Sequence, residues 1–195
     1  MKIELQHRFQ STAHDLKGLL DGCHKLSTYI TRLERQSTLF PDRYDPDSYK
    51  GDGFELFTEA LIKLSPVDNR IGISDYQVVE DGDIGVDGHG DGFDGKPATV
   101  QVKFRSNNDQ VLTANADHLS NFVQASLRSK KFGGFGVDPE TETNMLIVTT
   151  AKDLHHFTDS EMFGKQVRCL GRESLRRMVD NNHAFWDAFR ELMGV

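Results

Sequence analysis

From Asp81 to Gly95 the chain is dominated by glycine and aspartate. Glycine loses more conformational freedom than any other residue when fixed in a helix, and aspartate competes for backbone hydrogen bonds, so no helix persists here. The runs on either side differ sharply. Ile73 to Glu80 is rich in β-branched and apolar residues, and Ala98 to Phe104 alternates apolar with polar side chains. Two strand-like runs joined by an Asp/Gly segment predict an antiparallel hairpin, with its tip around Ile84-Gly85-Val86-Asp87. On the second strand Gln101 and Lys103 fall on the same face.

The remaining chain adds helices and further strands. Leu16, Leu19, Leu20, Cys23, Leu26, Ile30 and Leu33 recur at three- and four-residue steps. They predict one amphipathic helix over about 12–37. Pro41 and Asp45-Pro46 mark a boundary, and Tyr44 to Asp52 reads as a polar, turn-rich linker. A second helix is predicted after Gly53, through Phe54, Phe57, Leu61 and Leu64, stopped by Pro66. Thr113 to Leu127 reads as a helix with Asp117, His118 and Asn121 on its polar side. Asn144 to Thr150 and Gln166 to Leu170 read as strands, and Arg172 to Met193 as one or two closing helices. The fold class expected is α/β, a layered domain with a central mixed sheet flanked by helices. Residues 1–45 form an N-terminal helical extension and 46–195 the main domain.

A chain of 195 residues has room for one ordinary domain. No run approaches the ~20 apolar residues of a membrane span, and Met1 to Gln6 lacks the apolar core of a secretory signal. Cys23 and Cys169 stand alone, which argues against a disulfide framework and a structural zinc site and makes a cytoplasmic, reducing setting the expectation. The net charge of −7 runs against phosphate binding through Lys and Arg. Much of that excess is concentrated in Asp81, Asp83, Asp87, Asp91 and Asp94, where a bound cation would offset it.

Oxygen ligands suit Mg²⁺ or Mn²⁺, and Mg²⁺ commonly takes one or two carboxylates and keeps several waters. Asp87 is the central candidate ligand, with the amide oxygen of Gln101 and the backbone carbonyl of Val102 as neutral oxygens. Glu55 completes the shell directly or through water. Lys103 shares a face with Gln101, and its ammonium can orient an attacking water or offset charge on a phosphate. A divalent cation beside a lysine is equipment for hydrolysing a phosphodiester. Arg105, Arg128, Lys130 and Lys131 are candidate phosphate contacts, and His118 and Asn121 candidate substrate contacts on the following helix.

The pattern Gly-x-x-Phe-Glu ending at Glu55, Gly-x-Asp-Gly around Asp87 and Gln-x-Lys at 101–103 resembles the Mrr-like branch of the PD-(D/E)XK restriction-endonuclease superfamily. In that branch glutamine often stands at the second acidic position, as Gln101 does here. The resemblance makes Asp87 the motif aspartate, Lys103 the motif lysine and Glu55 the glutamate of the first core helix. Leu112-Thr113 through Phe122 and Asn144 through Thr150 are similar to nuclease domains joined to superfamily-2 helicases in phage, large-virus and restriction-type proteins. The resemblance covers about residues 50–190. It implies a restriction endonuclease-like fold, DNA as substrate, Mg²⁺ or Mn²⁺ as cofactor, and a helicase domain or partner.

An EF-hand loop opening at Asp81 puts Gly85 at a ligand position and has no closing Glu. One Gly-x-x-Gly-x-Asp is too little for a calcium β-roll, which needs repeats. His155-His156 are adjacent and point apart, so they read as loop residues. The stripe Leu16, Cys23, Ile30 and Leu19, Leu26, Leu33 either packs on its own domain or pairs two copies as a homodimer. Replacement of an acid by Gln101 removes one negative ligand. The alternative to a nuclease is therefore a DNA-binding or assembly module of a larger helicase-nuclease.

Overall fold

A computed structural model describes residues 3–7, 9, 13–39, 45–79, 85–107, 109–113, 119–128, 142–154 and 167–195. Ile84 of the expected hairpin tip Ile84-Gly85-Val86-Asp87, the loop at 133–136, His155-His156, His118, Lys130 and Lys131 lie outside them. The chain divides into two compact units, residues 1–64 with 173–195, and Ser65–Arg172. Among the described residues no helix is long and apolar enough to cross a membrane.

The first unit is helical: α1 Ala13–Leu20, α2 Leu26–Leu39 and α3 Pro46–Leu64, closed by α5 Arg172–Val179, whose first residue belongs to the other unit, and α6 His183–Met193. The single helix predicted over 12–37 is two helices. Asp21-Gly22 ends the first, where Asp21 N–H donates to Lys17 O and Cys23 N–H to Leu20 O. The apolar steps persist across the break because both helices bury the same kind of face: Leu19, Cys23, Leu26, Ile30 and Leu33 are all buried. That is the own-domain alternative for the stripe.

Helix α3 starts seven residues before Gly53, not after it. Asp45 is its cap, with an Oδ2 accepting from Ser48 N–H (2.8 Å), and Pro46 occupies the first helical position, where a missing N–H costs nothing. The Asp-Pro pair taken for a linker signal is a helix start. Around α3 an aromatic core assembles from Tyr29, Phe54, Phe57, Phe185, Trp186 and Phe189, with ring centroids 5.4 Å apart for Tyr29–Phe57 and 5.7 Å for Phe57–Phe185. The indole N–H of Trp186 is satisfied by Val179 O (2.8 Å).

The second unit carries a five-stranded mixed sheet in the order β1-β2-β3-β5-β7, with β1 Ile73–Val78, β2 Gly88–Gly92, β3 Pro97–Lys103, β5 Asn144–Thr149 and β7 Val167–Leu170. The first three strands are antiparallel, and β3, β5 and β7 are parallel. A short parallel pair, β4 Val111–Leu112 and β6 Asp153–Leu154, stands apart from it. The chain is therefore α/β with a mixed sheet, as expected.

The Asp/Gly segment behaves differently from the expectation. It contains a strand of its own, β2, and the tight turn falls at 93–96, where Gly92 N–H donates to Lys96 O (2.7 Å). Glycine at 88 and 90 lets β1 lie close: a Cβ at Gly88 would strike the Tyr76 ring and one at Gly90 the Ser74 carbonyl.

Strand β3 is buried from Ala98 to Val102. Thr99 and Gln101 are 0% and 1% exposed. Helix α4, Leu119–Leu127, joins this face through the Thr99 Oγ1···Ser126 Oγ hydrogen bond of 2.7 Å. Phe122, Val123 and Ala125 of α4 pack with Val86, Met145 and Ile147.

Candidate metal centre

The approach to Asp87 starts at Gly85, whose φ is +78°. A Cβ there would meet the Phe122 nitrogen at 3.1 Å and Asn121 C at 3.3 Å, so the turn passes α4 only as glycine. Val86 then buries its side chain in the α4 cluster. With both neighbours held, Asp87 is fixed against β3: its N–H donates to Val100 O (2.9 Å), and its carbonyl accepts from Val79 N–H (3.0 Å).

The β2–β3 ladder begins at Gly88↔Val100. One step beyond it, the Asp87 side chain substitutes for backbone: Val102 N–H donates to Asp87 Oδ2 at 2.5 Å. The carboxylate thus meets β3 at the peptide between Gln101 and Val102. Backbone groups of successive strand residues leave on alternate edges. Lys103 O accepts from Thr149 Oγ1 (2.7 Å) and Thr150 N–H (3.2 Å) on the β5 side, so the Val102 carbonyl leaves on the Asp87 side.

Gln101 and Lys103 share the face that α4 covers, paired in register with Ile147 and Thr149. Gln101 is 1% exposed, and its Oε1 is buried with no hydrogen-bond partner among the described residues. A buried amide oxygen left unsatisfied costs about 1–3 kcal/mol, and a cation is one group that would satisfy it. Lys103 is half-buried, and among the described residues no carboxylate pairs with it. Within the second unit Asp87 thus meets β3 at the Gln101–Val102 peptide, and Gln101 and Lys103 stand on one face of that strand.

The expected substrate contacts are less uniform. Arg105 is clipped to the end of β5: its N–H donates to Thr150 Oγ1 (2.6 Å), and its carbonyl accepts from Thr150 Oγ1 (2.8 Å) and Arg172 Nη2 (3.2 Å). Its own guanidinium donates to Phe104 O (2.7 Å), so it is already engaged. Asn121 is exposed on α4 beside Gly85, and Arg128 is exposed just past the end of that helix.

Glu55 belongs to the first unit and has partners there that the sequence reading missed. His7 Nε2 lies 2.9 Å from Glu55 Oε2. With Asp52 one turn earlier on α3, the three residues place one ligand atom each within 4.8 Å of one another. Glu59, fully buried, holds His7 in place: its carboxylate accepts from Gln6 N–H (2.6 Å), His7 N–H (2.8 Å) and Lys63 Nζ (2.7 Å).

Burial works to lower the His7 imidazole, but the hydrogen bond to Glu55 and the charges of Glu55, Asp52 and Glu59 outweigh it, and its pKa is raised. Burial, then the Glu55 charge, raises the Asp52 carboxyl. Asp52 had a readable signal, the i,i+3 spacing from Glu55, concealed by placing the helix start at Gly53. His7 had none, because 48 residues separate it from its partner.

Compared with family models, with curated proteins and with solved structures, the chain matches none.

Proposed function

We propose that this chain is a metal-dependent nuclease that hydrolyses phosphodiester bonds in DNA, with its β3 group built on a restriction endonuclease-like sheet. The observation that carries the reading is the Asp87 carboxylate fastened to Val102 N–H, the residue after Gln101, whose buried Oε1 has no hydrogen-bond partner among the described residues. Asp87, Gln101 Oε1 and the Val102 carbonyl are an all-oxygen donor set with one negative charge. That fits Mg²⁺ or Mn²⁺ better than a softer ion, and leaves positions for water and phosphate. Glu55, held by His7 in the first unit, is not needed for this set, since Mg²⁺ is commonly bound through one or two carboxylates.

A bound Mg²⁺ supplies charge stabilisation at the phosphate and a more acidic water. The chain's own groups do the rest. The backbone bond from Val102 orients the Asp87 carboxylate before any ligand arrives, so no reorganisation is needed on binding. Lys103 brings an ammonium that no described carboxylate neutralises, available to orient water or to offset charge developing on the phosphate. DNA as the substrate, and a helicase domain or partner, rest on the Gly-x-Asp-Gly and Gln-x-Lys resemblance.

The test is cleavage of supercoiled and linear DNA with Mg²⁺, Mn²⁺ or EDTA, comparing wild type with Asp87→Asn and Lys103→Ala. Metal-dependent nicking is expected, reduced at least ~100-fold in either variant, the scale seen when one positioned charge-stabilising group is lost. Cleavage that survives EDTA or both substitutions would refute the site. The second reading, a DNA-binding or assembly module, is favoured by one observation: Asp87 is the only carboxylate of the β3 group among the described residues. DNA binding without cleavage in any metal, unchanged by Asp87→Asn, would establish it.

A further inference from the structure

The first unit carries a group that the β3 chemistry does not use. Asp52 and Glu55 sit one turn apart on α3, both half-buried. Among the described residues neither pairs with a lysine or arginine. The nearby basic groups are committed elsewhere: Lys63 bonds Glu59 (2.7 Å) and Lys50 bonds Asp47 (2.7 Å). Among the described residues His7 is the group facing the two carboxylates. Even when protonated it leaves a net negative charge in a partly desolvated place, which is unfavourable without a counter-ion.

The imidazole is not there by accident of a loose terminus. Residues 3–7 run extended over α3, and the buried Glu59 receives the N–H groups of both Gln6 and His7 while Lys63 donates to Glu4 O (2.8 Å). These bonds hold the His7 ring, whose side chain is 11% exposed, above Glu55. Its Nδ1 is buried with no hydrogen-bond partner among the described residues, so none of them fixes which way the ring is turned.

We propose that His7, Asp52 and Glu55 form a binding site for a transition-metal dication of the Zn²⁺ kind, in addition to the oxygen-only group on β3. One imidazole nitrogen and two carboxylate oxygens are the donor types such an ion takes, with a fourth position left for water. Bonds of about 2.1 Å in a tetrahedral shell put ligand atoms ~3.4 Å apart. The separations present, from 2.9 Å for His7 Nε2···Glu55 Oε2 to a limit of 4.8 Å across the set, bracket that value. Carboxylate rotamers and the ring supply the adjustment. The ion would tie the N-terminal strap to α3 and neutralise the carboxylate pair.

The test uses the full chain, stripped of metal and titrated with Co²⁺ as a spectroscopic stand-in, with Zn²⁺ and Mg²⁺ as competitors. Wild type, His7→Gln, Asp52→Asn and Asp87→Asn are compared, and circular dichroism verifies that each is folded. One Co²⁺ with visible ligand-field bands is expected, displaced by Zn²⁺ and not by excess Mg²⁺. Affinity should fall by more than the ~10–100-fold that loss of an outer partner of a metal ligand costs in both His7→Gln and Asp52→Asn, and stay unchanged in Asp87→Asn. No bands in wild type, bands that persist in folded His7→Gln, or displacement by Mg²⁺ as readily as by Zn²⁺ would each overturn the site. Loss of the bands in Asp87→Asn would overturn it too, by assigning the ion to β3. DNA cleavage assayed alongside reports on the β3 reading alone, so the two proposals fail separately.

Discussion

Tyr29 and Cys23 lie side by side in the first unit's core, both fully buried, and each is held neutral by its surroundings. The Tyr29 hydroxyl donates to Gly53 O at 2.7 Å. Burial, reinforced by the neighbouring Cys23, raises its pKa well above the ordinary value of 10.0. Burial likewise pushes the Cys23 thiol above 9.0. Both folded-state pKa values are raised, so the unfolded chain loses these protons first, and stability present below about pH 9 is lost as pH rises beyond it. Thermal unfolding followed from neutral to strongly alkaline pH should show the midpoint falling in that window. The fall should be shallower in Tyr29→Phe and Cys23→Ala. Tyr29→Phe should also lose about 1 kcal/mol at neutral pH, the net worth of its buried hydrogen bond to Gly53 O. Equal slopes in all three proteins would rule this account out. At this scale the sequence was a partial guide. Asp87, Gln101 and Lys103 were legible from residue type and spacing, because period-two geometry needs only local information. That Gln101 is buried and unpaired was not, since it depends on α4 covering that face of β3.

Helix α3 carries two glycines whose sequence contexts look alike and whose surroundings differ. A Cβ at Gly53 would sit 2.4 Å from Leu33 Cδ2, and Leu33 is fully buried on α2. At Gly51 nothing lies within 4 Å. Gly51→Ala should therefore stabilise by up to about 1 kcal/mol through helix propensity. Gly53→Ala should cost about 1–3 kcal/mol, because overpacking at the α2–α3 contact outweighs the same propensity gain. Urea denaturation of the two variants checks this, and the same sign for both would mean α2 has room to shift. Element types were readable wherever the apolar period was clean, as in Asn144–Thr149 and α2. Boundaries failed where a signal has two meanings. Asp45-Pro46 can close a linker or start a helix, and it starts one here because Asp45 finds Ser48 N–H. Strand β2 was hidden because Gly88, Gly90 and Gly92 have low strand propensity; β1 leaves no space for a Cβ at Gly88 and Gly90, and Asn144 and the turn residue Asp94 leave none at Gly92.

At the scale of the whole molecule the first unit is assembled from both ends of the chain, residues 1–64 and 173–195. Phe185, Trp186 and Phe189 complete the core around Tyr29 and Phe57, and Arg190 donates to Leu20 O (3.0 Å) and Cys23 O (3.1 Å). Removing residues 173–195 should therefore strip hydrogen-exchange protection from α2 and α3, although neither helix is altered in sequence. Native-state exchange read by mass spectrometry would show it, and undiminished protection in α2 would mean that the N-terminal helices hold together unaided. The amino-acid sequence by itself determined the helix and strand periods, the α/β class, and the order Asp87, Gln101, Lys103 with the last two on one face. Each of these follows from the spacing of side chains along a single element. Tertiary structure alone decided that Asp87 caps the β2–β3 ladder, that Gln101 is sealed under α4, and that His7 meets Asp52 and Glu55. These contacts join residues 15 to 48 positions apart, and no local propensity encodes which distant partner a side chain will meet when the core closes.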